Sequence, residues 1–101
     1  MALRVNLQTL LETLLGSDKV YFQPPSGFMM SYPCITYVRS NIRSKFGDNT
    51  PYKLDNEYTI TVIDANPDSV IPGKIALLKQ CIFDRNFRSE NLNHDVFNIL
   101  Y

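Results

Sequence analysis

Tyr58-Thr59-Ile60-Thr61-Val62-Ile63-Asp64 alternates apolar and polar side chains more regularly than any other run in the chain. Side chains alternate along an extended chain, so Tyr58, Ile60 and Val62 share one face while Glu57, Thr59 and Thr61 share the other. One apolar and one polar face mark a strand in an antiparallel sheet that is covered on a single side. The cover should come from amphipathic helices, and a candidate lies on each side of this strand. Upstream, Leu3, Leu7, Leu10, Leu11 and Leu14 keep the spacing of one helical face. The spacing predicts a helix over 5–15, with Asn6 able to cap its start and Gly16 placed to end it in the left-handed conformation. Downstream, Asn66-Pro67-Asp68-Ser69 reads as a turn into a second helix over 69–80. There Ile71, Ile75, Leu78 and Ile82 keep helical spacing, and Pro72 fits a first turn that does not need its N–H.

The remaining strands follow from composition and punctuation. Lys19–Gln23 is a short strand stopped by Pro24-Pro25-Ser26-Gly27, and Pro33–Ser40 is rich in β-branched and aromatic residues. Cys81–Arg88 reads as a strand with Cys81, Phe83, Arg85 and Phe87 on one face, and Arg88–Asn93 as a polar turn. Asp95–Tyr101 is apolar on both faces and is expected to dock in the sheet or against a neighbour. Residues 41–53 break both periods and read as a long polar loop turning at Gly47-Asp48-Asn49. Loops of that length in a compact domain are mobile or functional. The expectation is one α+β domain over 1–101, of order α-β-β-β-α-β-β. Its mixed, mainly antiparallel sheet carries two amphipathic helices on one face.

Bulk properties narrow the function classes. The 101 residues fit a single core, and 45% hydrophobic with 20% charged residues is an ordinary globular composition. Ten basic residues balance ten acidic ones, so no global field draws nucleic acid or an anionic membrane, and little charge keeps copies apart. No apolar stretch has the length needed to cross a bilayer as a helix. The N-terminus lacks the basic-then-apolar pattern of a signal peptide. With only Cys34 and Cys81, far apart, a disulfide framework is not expected, and both thiols should stay reduced in a cytosol-like compartment.

A search for reactive constellations finds little. His94 is the only histidine, so Cys34 or Cys81 with His94 is the one available thiol–imidazole pair. Both cysteines occupy strand positions suited to a small apolar residue, and His94 falls in the polar turn, where exposure is expected. Two isolated cysteines and one histidine do not have zinc-site spacing. Asp64-Ala65-Asn66-Pro67-Asp68 begins like a calcium loop, but Pro67 and the missing downstream Glu spoil it. Helix capping by Asp68 or Ser69 accounts for it better. Asp55 and Glu57 read as a solvated pair on one strand face, and no glycine-rich phosphate cradle is present. Neither catalytic residues nor a cofactor or metal site is expected.

The basic stretch carries more information. Arg39, Arg43 and Lys45 lie close together with Tyr37 and Phe46 interleaved, and Lys53 follows. Such a pattern suits single-stranded nucleic acid or a DNA-passing channel. A solvated loop balancing its charge with Asp48 and Asp55 is the plainer account, and a partner anchored on Phe46 is a third.

Taken in order, these features resemble the tail terminator (tail-completion, head–tail joining) family of long-tailed bacteriophages. The resemblance rests on the Leu-rich helix Leu7–Leu15, the Tyr32-Pro33-Cys34-Ile35-Thr36-Tyr37 segment and the long hairpin connection after it. The strand Tyr58–Asp64, the turn and helix from Asn66-Pro67-Asp68, and the closing His94–Tyr101 strand complete it. It spans nearly the whole chain as pattern and spacing. The resemblance implies a homohexameric ring that caps the tail tube, ends its elongation and docks to the head–tail connector or stopper protein. DNA would pass through the ring lumen, and the protein would sit in the virion neck after assembly in the host cytoplasm. No catalytic residues are implied. Loop 41–53, with Arg39, Arg43, Lys45, Phe46, Asp48 and Lys53, is the candidate contact with a neighbouring subunit, tail tube or lumen. Phe28, Met29 and Met30, within Pro24–Tyr32, are a second candidate contact. A head-side stopper and a small single-stranded nucleic-acid-binding domain are the alternatives.

Overall fold

The computed structural model describes residues 4–25, 32–47 and 50–101; over 43–55 the backbone alone is described. The chain runs α1 (Arg4–Leu15), β1 (Val20–Phe22), β2 (Cys34–Gly47), β3 (Thr50–Asp64), α2 (Ile71–Ala76), β4 (Cys81–Ser89) and β5 (Leu92–Leu100). The five strands form one sheet in the order β1-β2-β3-β5-β4. Only β1 and β2 run parallel; the other neighbours are antiparallel. This is the α+β architecture and element order that the periodicity predicts.

Register explains which residues make the core. Tyr37 stands opposite Ile60, and Ile60 opposite Phe97; Ile35 stands opposite Val62, and Tyr58 opposite Ile99. All seven are buried and join Leu7 and Leu11 of α1 and Ile71 and Ile75 of α2 in one cluster. Both helices therefore lie on the face that Tyr58, Ile60 and Val62 present. Each fully buried side chain of this size contributes about 1.5–3 kcal/mol relative to exposure. Cys34, Ile63 and Val96 are also buried but stand on the opposite face, outside that cluster. A polar tie fastens α1 to the sheet. Arg4 Nη1 donates to the Tyr37 hydroxyl at 2.9 Å, and that hydroxyl donates to Gln8 Oε1 at 2.5 Å. Gln8 Nε2 donates to the Val20 carbonyl at 2.9 Å, and the Arg4 guanidinium lies 4.4 Å from the Phe22 ring centroid.

Local chemistry closes the elements. Gly16 takes φ +81° and donates its N–H to the Glu12 carbonyl, as a left-handed helix end requires. Asn6 is not the cap expected of it: α1 already includes Arg4, so Asn6 stands inside the helix. Helix α2 is shorter than the predicted 69–80. Its cap residue is Val70 with no side-chain cap, although Ser69 Oγ accepts from the Ile71 N–H. Pro72 does occupy the first turn. The helix stops early because Leu78 donates back three residues to Ile75 and Gln80 takes φ +59°, which turns the chain into β4. Ile82, read from spacing as part of the helix face, is a strand residue and 71% exposed. The polar turn expected over 88–93 shrinks to Glu90 and Asn91, both with positive φ, between the paired Ser89 and Leu92. Two left-handed residues match a tight hairpin to the strand twist. The closing apolar run docks as predicted, between β3 and β4.

Two corrections concern strand pattern. The long loop expected over 41–53 is mostly strand, because β2 and β3 continue through 41–47 and 50–53, from Asn41↔Glu57 to Gly47↔Thr50; its expected turn at Asp48 and Asn49 lies outside the described residues. Register shifts between Arg39 and Asn41 and between Lys45 and Phe46 break the two-residue alternation there. In β4 a shift between Phe83 and Arg85 inserts Asp84. Cys81 and Phe83 therefore lie opposite Ile99 and Phe97 on the helix face, whereas Arg85 and Phe87 lie opposite Val96 and His94 on the other. The four residues do not share one face.

Candidate interaction surfaces

Where β2 and β3 leave the sheet, they become a ribbon. Strand β1 stops at Phe22 opposite Tyr37, and β5 stops at Leu100 opposite Glu57. Beyond those rows, among the described residues, β2 and β3 pair only with each other. Seven residues of extended chain add roughly 23 Å at about 3.3 Å per residue. The molecule accordingly measures 51 × 25 × 23 Å, with a radius of gyration of 14.6 Å against about 13 Å for a compact chain of this length. At the ribbon base, the Arg39 N–H donates to Gln23 Oε1 at 3.4 Å, and Ser40 Oγ donates to the Glu57 carbonyl at 3.1 Å. Ile42 is 48% exposed. Opposite it stands Asn56, 6% exposed, whose Oδ1 is buried with no hydrogen-bond partner among the described residues.

The predicted contact residues sort accordingly. Arg39 is exposed at the ribbon base. Register places Arg43 opposite Asp55, Lys45 opposite Lys53 and Phe46 opposite Pro51. Asp48, together with Phe28, Met29 and Met30, lies outside the described residues. The basic positions are thus collected on one projecting ribbon, as two paired strands.

The edge strand β4 is a second surface, which sequence reasoning missed. Its outer side has no strand neighbour among the described residues. Ile82, Phe83 and Phe87 are 71%, 52% and 41% exposed along it. Phe83 packs edge-on against Phe97 with centroids 5.4 Å apart, on the helix face. Past the inserted Asp84, Phe87 stacks on His94 at 4.6 Å and 10°, with the Arg85 guanidinium 5.9 Å from the Phe87 centroid. His94 is therefore a half-buried strand residue, not an exposed turn residue as predicted. The available signal was apolar residues on both faces of 81–88, which implies a strand open to more than one neighbour. Two concavities of about 330 Å³ flank the end of β5. One is lined by Glu57, Gln80, Ile82, Asn98 and Leu100, the other by Leu10, Leu78, Lys79 and Tyr101 among others.

Reactive groups are kept apart. Cys34, Ile63 and His94 occupy one row across β2, β3 and β5. Two strand spacings separate the thiol from the imidazole by roughly 10 Å, with Ile63 between them. Cys81 faces the helices, on the opposite side from His94. Burial pushes the Cys34 thiol up to about 11, with Asp64 adding to the shift and Lys19 opposing it. Burial also raises Cys81. Both thiols are protonated near neutrality and weak as nucleophiles. Among the described residues, no three His, Cys, Asp or Glu side chains gather to hold a metal ion, and no helix is long and apolar enough to cross a membrane. Asp64 and Asn66 instead build successive turns, accepting from the N–H groups of Asn66 and Asp68. Comparison with protein-family models, curated proteins and solved structures gives no match.

Proposed function

We propose that this protein is a structural subunit that assembles through its ribbon, and that its assembly is the ring of a phage tail terminator. The observation that carries the reading is the ribbon 41–47/50–56, whose two strands extend past the ends of β1 and β5 and, among the described residues, pair as strands only with each other. A two-stranded ribbon alone is marginal in water. A chain that maintains one over this length gains from a partner that covers it. In a ring each subunit offers one surface to a neighbour and receives another, and a fixed rotation closes the circle. A projecting ribbon suits that head-to-tail contact, and its collected Arg and Lys positions suit a lumen through which DNA passes.

On this reading the partners are further copies of the chain, the tail tube protein and the head–tail connector or stopper, in the neck of the virion. The test is absolute mass by light scattering behind a sizing column, with negative-stain images of the same peak, for the full chain and a variant lacking 46–50. The expected result is a hexamer with a central hole in the full chain, and its loss in the variant while circular dichroism stays unchanged. A full chain that neither forms a ring nor binds tail tubes overturns the reading. Binding to the connector without binding to the tube transfers it to a head-side stopper. A salt-sensitive gel shift with single-stranded DNA from a monomer transfers it to a nucleic-acid-binding domain.

A further inference from the structure

Among the described residues no strand pairs with the outer edge of β4, and exposed apolar side chains stand on both of its faces, Ile82 and Phe87 on one and Phe83 on the other. Edge strands of this kind are normally blunted by charges and bulges, and β4 has both, at Asp84 and Arg85. Here the two protective features are arranged to permit one partner. We propose that β4 is a self-recognition edge, on which a second copy of this chain docks antiparallel about a two-fold axis between Asp84 and Arg85. Face parity limits the registers. Opposed residues in an antiparallel pair must point to the same side of the sheet. In a regular strand, a two-fold between consecutive residues breaks that rule. The inserted residue restores it, because Ile82 and Phe87 both stand on the face away from the helices, while Phe83 and Asn86 both stand on the helix face.

In this register Ile82 of one copy meets Phe87 of the other, twice by symmetry. The two most exposed apolar positions on that face of the strand, 71% and 41% exposed, are covered together. Phe83 meets Asn86, and Asp84 meets Arg85. The Asp84–Arg85 ion pair, now a 3.1 Å contact between neighbours in one exposed chain, becomes a four-charge ring with alternating sign across the axis. Sliding by one step of two residues toward the strand start sets Arg85 against Ile82 and Phe83 against Asp84, which loses both matches. Sliding the other way sets Arg85 against Asn86, from opposite faces. Such a contact is isologous and closes at two copies, so it is separate from a head-to-tail ring contact and does not rest on the ring reading.

The experiment is sedimentation velocity of the full chain over a concentration series, compared with Asp84→Arg, Arg85→Asp and the double exchange D84R/R85D. All three changes are at exposed positions, and unfolding midpoints should stay close to the parent. The parent is expected to self-associate with concentration. Each single exchange sets two like-charge pairs across the axis and should weaken association about tenfold. The double exchange restores opposite signs and should recover it. A parent that stays monomeric throughout overturns the proposal, as do single variants that associate like the parent. An oligomer that survives both single exchanges but is lost on deletion of 46–50 belongs to the ribbon; it overturns this proposal and leaves the ring reading standing. Association that disappears in the single variants and survives that deletion does the reverse.

Discussion

The two ends of β2 and β3 are one continuous pair of strands under opposite physical regimes. From Cys34 to Arg39, and from Tyr58 to Ile63, the pair sits inside a sheet with β1 or β5 beyond it and helices beneath it. Side chains alternate there between core and surface, and Ile35, Tyr37, Tyr58, Ile60 and Val62 are buried. From Asn41 to Gly47 the same backbone ladder continues, among the described residues, with neither neighbouring strand. That sequence is polar, and the register shifts scramble what alternation it has. Hydrophobic patterning thus reports burial, and reports strand geometry only where burial enforces it.

The contrast is broken most directly by truncating matched residues. Ile60→Ala removes a fully buried side chain from the central row and should cost about 2–5 kcal/mol in urea unfolding. Ile42→Ala, on the same strand pair but in the ribbon, should change stability by no more than about 0.5 kcal/mol. Equal losses at the two positions would mean that the ribbon belongs to the cooperative core. Hydrogen exchange sharpens the point, since amides of 41–47 and 50–56 should exchange well before those of 58–63.

A smaller effect is expected where the body is tied rather than packed. Tyr37→Phe keeps the ring that lies 4.9 Å from Phe22 and 5.9 Å from Tyr58, but removes the hydroxyl between Arg4 and Gln8. The loss should be about 1–2 kcal/mol, read from the same denaturant midpoint. No change at all would show that water replaces the hydroxyl without cost.

The smallest effect is a pH slope. Cys34 is a weaker acid folded than unfolded, with its folded value at about 11. Its contribution to stability is therefore fully present below the unfolded thiol value near 9, and declines as pH rises from about 9 to about 11. Cys81 and Tyr37 are raised as well and act in the same direction. Cys34→Ala should flatten the alkaline fall in thermal midpoint relative to the parent. An identical slope in both proteins would assign the fall to other groups.

Much of the fold was legible in the residues because burial left its mark on them. The Leu spacing of α1, the alternation of 58–62, the stop at Gly16 and the proline in the first turn of α2 each express a local rule that the structure obeys. The candidate surfaces were less legible. The stretch from Arg39 to Lys53 stood out by its charges and aromatics, but its form did not, since a solvated ribbon and a polar loop have the same composition. The β4 edge was hidden for a different reason. Its exposed residues, Ile82, Phe83 and Phe87, look like core in a sequence, and one inserted residue, Asp84, moves Arg85 and Phe87 to the other face.

The class of this protein was written in its residues: which segments are helices, and which central strand carries the core face. Those properties depend on side-chain chemistry and local spacing, which are written in the chain. Only long-range pairing set β5 between β3 and β4, left β4 without an outer strand neighbour among the described residues, and carried 41–47 and 50–56 past the ends of β1 and β5 as paired strands. Each of these is a matter of long-range register, set by which strands find each other across tens of residues and by where one strand ends before its neighbour does.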